Sequence, residues 1–191
     1  MLPDRAARAL PLLLLGLLAG LALLLDRATS LPFFSPGMGR NDPDLQIRRF
    51  VATGFGPDGK PLYTLTADAM QHYPLDDRSE LAHAKLVRTL PGEPTLDVTA
   101  AQARVTESGD KIEFEKDVVM YREPTPALPA MTLRTSHMTM DTVAGQANSE
   151  APATLLSNGD KVQSTGFDYD HTNARLQLRS KVSINYAPPK R

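Results

Sequence analysis

Four histidines, two nearby glutamates and one Asp-Tyr-Asp-His run are the side chains whose spacing could support chemistry in this chain. His72, His83, His137 and His171 show no His-x-His or His-x-x-x-His spacing, the patterns that set two imidazoles on one face to hold a metal ion. Asp168-Tyr169-Asp170-His171 puts two carboxylates on one strand face and then runs into a turn, so it reads as the solvated end of a hairpin. Glu113 and Glu115 share a strand face, as paired glycosidase carboxylates would. That face lies opposite Ile112 and Phe114, and the pair reads as wet surface. No serine sits in a Gly-x-Ser-x-Gly elbow, and no Gly-rich loop leads from a strand into a helix to cradle phosphate. The absence of cysteine excludes disulfides, thiol nucleophiles, thiolate metal sites and a lipidated cysteine. With no catalytic residue, metal site or cofactor motif visible, the expectation is a non-enzymatic protein that works through a binding surface.

Composition narrows the partners. Lys plus Arg (21) nearly balance Asp plus Glu (22) over 191 residues, so there is no basic field to hold nucleic acid, and none is expected. The length suits one domain with an appendage.

That appendage is N-terminal. Residues 9–25 read ALPLLLLGLLAGLALLL without a charge, near the short limit for crossing a bilayer at about 1.5 Å per residue. Arg5 and Arg8 precede the run, whereas Asp26 and Arg27 cancel after it, so the positive-inside bias leaves the N-terminus in the cytoplasm. Ala28 and Ser30 would also fit a signal-peptidase site, but the run exceeds the roughly 7 to 15 apolar residues of a cleaved leader, and an anchor is the reading adopted. Within it, Gly16 and Gly20 form a Gly-x-x-x-Gly pair that would let another transmembrane helix approach; chance spacing in a leucine-rich run explains them equally well. The expected organisation is residues 1–28 as a short cytoplasmic end and transmembrane helix, 29–44 as a Pro/Gly-rich tether, 45–187 as the folded domain, and 188–191 as a tail.

The folded domain should be built of strands. Turn signals such as Pro57-Asp58-Gly59, Asp76-Asp77, Pro91-Gly92, Ser108-Gly109-Asp110 and Asn158-Gly159-Asp160 punctuate stretches in which apolar residues alternate. Ile112 and Phe114, Val118 and Met120, Leu176 and Leu178, and Val182 and Ile184 each put one face in a core and leave charge on the other. The best helical candidate, Pro74 to Leu86, has its stripe broken by His83 and Lys85. A stretch that begins extended and turns over small residues recurs at Thr64–Ala69, Asp97–Ala103, Leu133–Met138 and Gln163–Asp168, with starts roughly 30 to 36 residues apart, the range of stacked supersecondary units. The fold class expected is all-β, a sandwich or half-open barrel of antiparallel meanders.

In this order of parts the chain resembles the LptC family of lipopolysaccharide transport proteins, bitopic inner-membrane proteins of Gram-negative bacteria. The likeness runs through the short anchor, the tether, Phe50-Val51-Ala52 with Pro57-Asp58-Gly59, and the run from Leu62-Tyr63-Thr64-Leu65 to His72-Tyr73. It continues through Thr99-Ala100-Ala101-Gln102-Ala103, Gly109-Asp110 before Ile112-Glu113-Phe114, and Leu133-Arg134-Thr135 to Met140. The resemblance implies a twisted, open β-jellyroll of the OstA/LptA type in the periplasm, holding lipopolysaccharide acyl chains between two sheets. It implies an inner-membrane ABC transporter that supplies the lipid and a periplasmic LptA-type jellyroll that receives it.

Within that frame the groove-lining candidates are Tyr63, Leu65, Ala82, Leu86, Phe114, Val118, Met120, Leu133, Met138, Met140, Phe167, Tyr169, Leu176 and Leu178. Alternation alone leaves open whether they line a groove or fill a dry core. The final strand, Lys181, Val182, Ser183, Ile184, Asn185 and Tyr186, is the expected docking edge for the next jellyroll, stopped by Pro188 and Pro189. The strand around Ile47 to Thr53 would face the transporter. The competing reading is a membrane-tethered β-scaffold that docks envelope proteins without carrying lipid.

Overall fold

The computed structural model describes residues 14–25, 42–56, 58–106 and 109–186. The charged flanks of the anchor, the tether as far as Asn41, Pro57, Ser108 and the Pro188-Pro189 stop lie outside them. The chain divides into two units, Met1–Asn41 and Asp42–Arg191. In the first, residues 14–25 are helical and carry Gly16 and Gly20. At 1.5 Å per residue that helix measures about 18 Å, against a hydrocarbon core of about 30 Å. Among the described residues no helix is long and apolar enough to cross a membrane; residues 9–13 of the expected span fall outside the description.

The second unit is nine antiparallel strands: β1 (Leu45–Phe55), β2 (Pro61–Tyr73), β3 (Arg78–Arg88), β4 (Leu96–Thr106), β5 (Lys111–Arg122), β6 (Met131–Asp141), β7 (Gln146–Ser157), β8 (Asp160–Asp170) and β9 (Arg175–Asn185). Each pairs only with its neighbours in sequence. The two facing sheets expected from the resemblance are therefore one continuous meander, open because β1 and β9 are both edges. The segment 74–86 is a turn followed by β3, and His83 and Lys85 are outward members of that strand. Asn158 and Gly159 both take positive φ, 52° and 90°, and make the two-residue turn whose twist suits a hairpin between β7 and β8.

A single sheet can bury side chains completely only by covering them with itself. The strands show how. Register breaks near mid-strand between Thr99 and Gln102 in β4, Glu115 and Val118 in β5, Thr135 and Thr139 in β6, Ser149 and Pro152 in β7, and Gln163 and Thr165 in β8. Positive φ marks the same level at Arg49, His83, Lys116, Asp117, Gly166 and Lys181. A bulge adds one residue, bends the strand and flips the side-chain phase. The inward positions change parity at this level in four strands: Leu81 then Ala84 and Leu86 in β3, Val98 and Ala100 then Ala103 in β4, Leu133 and Thr135 then Met138 and Met140 in β6, Ser164 then Phe167 and Tyr169 in β8; in β5 and β7 the inward set keeps its parity across the break. Aligned across the sheet, these bulges crease it lengthwise, so both halves present apolar side chains to one interior. The recurring stretch of the sequence falls on β2, β4, β6 and β8 and contains this crease; its spacing is two strands and two turns.

Candidate functional site

The interior is one cluster. Leu65, Leu86, Phe114, Val118, Met120, Leu133, Met138, Met140, Phe167 and Tyr169 belong to it, and Tyr63, Leu176 and Leu178 pack against it half-buried. Phe114, Met120, Leu133 and Met138 are 0% exposed, so mid-sheet the interior is packed rather than open. Burial of each such side chain contributes about 1.5–3 kcal/mol. Ala82 sits elsewhere: it lines a polar cleft with Glu80, Gln102, Arg104 and Glu115. The phase flip at His83, whose φ is 50°, puts Ala82 on the face opposite Ala84 and Leu86.

The interior opens near the β1 edge. A cleft of about 390 Å³ is lined by Phe50, Ala52, Tyr63, Leu65, Met70, Leu81 and Val105, with Asp77, Ser79, Thr106 and Gly109 among its polar members. Both ends of the creased strands contribute: Phe50, Ala52 and Tyr63 come from the end of β1 and start of β2, and Ser79 and Val105 from the start of β3 and end of β4.

Beyond this mouth the two lips of the folded sheet meet in polar contacts. Tyr63 Oη donates to the Gly109 carbonyl at 3.1 Å, and Thr142 Oγ1 donates to the same oxygen at 3.0 Å. Arg88, at the end of β3, donates through Nη1 to the Thr142 carbonyl in the β6–β7 turn at 2.7 Å. Its Nε lies 3.4 Å from Glu93 Oε2, and the same carboxylate oxygen is 3.4 Å from His171 Nε2 in the β8–β9 turn. His171 Nδ1 is 3.1 Å from Tyr169 Oη. Arg122, at the end of β5, donates from Nη2 to the Pro129 carbonyl at 2.8 Å. Arg88, Arg122 and His171 are all buried. Burial lowers the His171 pKa below the usual imidazole value, with Arg88 and Arg122 acting the same way and Glu93 opposing, so the ring is neutral at pH 7. Burial likewise raises the phenols of Tyr63 and Tyr169. The Asp168–His171 run is thus only half a solvated hairpin end. Asp168 pairs with Arg179 and Asp170 caps the turn through Asn173, while Tyr169 and His171 point inward.

The outer face holds a group that cross-strand pairing alone assembles. Glu113 and Glu115 of β5 and His137 of β6 bring their ligand atoms within 4.8 Å of one another, with Arg104 Nη1 3.1 Å from Glu113 Oε2. The guanidinium already compensates the carboxylates, which act as a surface ion-pair network. At the far edge β9 ends at Asn185. Val182, Ile184 and Tyr186 are exposed, and Lys181, at φ 50°, lies at the crease. Gly16 and Gly20 have open space around the positions their Cβ atoms would take.

Sequence reasoning singled out Tyr63 and His171 but passed over Arg88, Glu93, Arg122 and Thr142 of the lips and most of the mouth. Arg88 and Arg122 carried a usable signal, for each takes the next inward position after Ala84 and Leu86 or Val118 and Met120. A charge at an inward position demands a buried partner. Glu93, Thr142 and Gly109 left no such trace, because they are brought together only by the crease.

A family profile described as Lipopolysaccharide-assembly, LptC-related matches residues 12–187. Among solved structures the fold is similar to LptH, the LptA homologous periplasmic component of the lipopolysaccharide transport device from Pseudomonas aeruginosa. The two share 9% identity with a TM-score of 0.53, over 66% of this chain and 95% of that one. No curated protein gives a significant match.

Proposed function

The chain belongs to the LptC-related family of lipopolysaccharide-assembly proteins, which gives it a part in lipopolysaccharide transport, and from that membership we propose that it carries the acyl chains of the lipid in its creased sheet. The observation that supports this most is the mouth: an apolar interior that reaches solvent through the cleft of Phe50, Ala52, Tyr63 and Leu65. Each CH₂ placed there leaves water with a gain of about 0.8 kcal/mol, so a lipid can cross an aqueous space without exposing its chains. A site that binds equally well in both directions sets no direction of flow. Net transport then draws on ATP hydrolysis in an inner-membrane transporter, since this sequence carries no phosphate-binding loop. In this reading residues 9–25 anchor the chain in the inner membrane with the sheet in the periplasm, Gly16 and Gly20 pack against a transporter helix, the β1 edge faces the transporter, and the β9 edge docks an LptA-type jellyroll.

The test is photo-crosslinking in cells from benzophenone side chains placed at Phe50 and at Leu178. Lipopolysaccharide adducts at Phe50 above those from an outer-face control at Glu113 support the reading. Adducts only at the control sink it. A second reading, a membrane-tethered scaffold that docks envelope proteins without lipid, draws on the complete burial of Phe114, Met120, Leu133 and Met138, and it expects no lipid adduct at any inner position.

A further inference from the structure

The carrier reading leaves one question that the geometry answers. The mouth is open, but the interior behind it is sealed, and what seals it is not the apolar packing alone. Three cross-lip contacts follow one another along the crease: Tyr63 to Gly109, Arg88 to Thr142, and Glu93 to His171. Each joins a strand end or the β3–β4 connection on one lip to a turn from the opposite lip. In strand order the partners step from β2 with the β4–β5 turn, to β3 with the β6–β7 turn, to the β3–β4 connection with the β8–β9 turn, so the contacts form a single diagonal seam. Resting on the carrier reading for its cargo, we propose that this seam is a latch, and that acyl chains pass from the mouth into the deeper interior only when the two lips part.

Three features favour a seam built to open over one built only to hold. First, the polar atoms around it are incompletely satisfied when shut: Arg122 Nε is buried without a hydrogen-bond partner, and His171 Nε2 has only the long 3.4 Å approach of Glu93 Oε2, short of a hydrogen bond. A buried donor left unpaired costs about 1–3 kcal/mol, and opening returns it to water. Second, the charges do not cancel. Arg88 is buried with Glu93 Oε2 3.4 Å from its Nε, whereas Arg122, buried on the same lip, donates to the uncharged Pro129 carbonyl, and desolvated charge of that kind is stabilised by hydration. Third, the interior behind the seam is rich in Met120, Met138 and Met140, unbranched side chains that repack around an irregular guest. An apolar seam would gain from closure along its whole length; this one loses less on opening. The bulges beneath it supply the hinge, since β1 and β3 to β9 each carry a register break or a positive-φ residue near the middle.

The chain has no cysteine of its own, which permits a clean lock. Full-length protein carrying Glu93→Cys and Thr172→Cys is joined across the seam with a disulfide-containing bismaleimide, which reduction later cleaves. Benzophenone at Phe114 reports the deep interior and at Phe50 the mouth, with rough lipopolysaccharide as the probe. The latch predicts that locking lowers the Phe114 adduct at least tenfold, leaves the Phe50 adduct within twofold, and that reduction restores the first. Equal Phe114 adducts in locked and reduced protein overturn the latch while leaving the carrier reading intact. If neither position yields lipid adducts even after reduction, the carrier reading fails. The latch is then judged on uptake of the apolar dye N-phenylnaphthylamine: uptake suppressed by the lock and regained on reduction supports it, and uptake indifferent to the lock refutes it.

Discussion

The Arg88 guanidinium donates to the Thr142 carbonyl at 2.7 Å across 54 residues of sequence, tying the end of β3 to the β6–β7 turn on the opposite lip. Both groups are buried, so neither can fall back on water if the other is lost. Arg88→Met should therefore lower the stability of the folded sheet by about 3 kcal/mol, the scale of breaking a buried charged contact on one side. Arg88→Lys keeps the charge but not the fork that spans Thr142 and Glu93, and should recover less than half. Urea midpoints of the two variants check this; equal stability of Met and wild type would mean the contact carries no weight.

The crease makes a prediction of opposite sign at two of its positions. Gly166 has φ 80°, and a Cβ there would lie 3.2 Å from the Ser149 carbonyl oxygen and 3.0 Å from Arg179 Cδ. Gly166→Ala meets both the strained backbone and a neighbouring strand, and should destabilise by about 1–3 kcal/mol. Lys116 holds φ 62° with an exposed side chain. Lys116→Gly relieves an unfavourable left-handed residue worth about 1–2 kcal/mol, offset in part by the added freedom of glycine in the unfolded chain. Its midpoint should stay level or rise. A fall at Lys116→Gly as large as at Gly166→Ala would show that the bulge needs the lysine itself.

How far the fold could be read from the residues follows from this contrast. Alternation and turn chemistry are local, so the antiparallel strands and the Asn158-Gly159 turn were legible, and the inward sets of β5, β6 and β8 largely so. The crease is local too, but its signal is a phase flip over small or exposed residues, which is why Ala82 was placed on the wrong face. Two sheets in place of one is an error of the same origin: a bulge and a sheet change look alike along a single strand. The seam was out of reach, since Tyr63 and Gly109, or Glu93 and His171, share no periodicity. The Glu113, Glu115 and His137 group was invisible for a related reason, because it depends on the β5–β6 register that sets Glu115 opposite His137.

Acid should weaken the sheet through His171. Its folded pKa is lowered, chiefly by burial and further by Arg88 and Arg122, against Glu93 and the Pro94 backbone. The unfolded chain then binds the proton more readily, so this contribution is complete above the unfolded value of about 6.5 and declines as pH falls through and below it. His72 works the other way. Its ring donates to the Asp44 carboxylate and then to that of Asp77, which raises its pKa, so its contribution is present below about 6.5 and fades as pH rises through the folded value. In a His72→Gln background, which removes the opposing group, the urea midpoint should fall steadily from pH 7.5 to pH 5. His171→Phe should flatten that slope. A slope unchanged by His171→Phe assigns the acid sensitivity to another group.

The two edges of the sheet should differ in what they dock. β9 leaves Val182 and Ile184 exposed on one face of an edge strand, beside backbone groups that β8 satisfies on one side only. An open edge of this kind is a template for strand addition, and lysine is the residue that most often blunts one. Val182→Lys with Ile184→Lys replaces exposed apolar groups with charge and buries nothing, so folding stability should stay within about 0.5 kcal/mol. Binding of a soluble LptA-type jellyroll to the full-length protein should weaken at least tenfold, measured by titration in detergent. Val51→Lys makes the same change on the exposed face of β1 and should leave that binding as it was. If β1 and β9 variants lose the partner equally, the docking is not strand addition at one end. If only Val51→Lys loses it, the sheet sits in the transport chain the other way round.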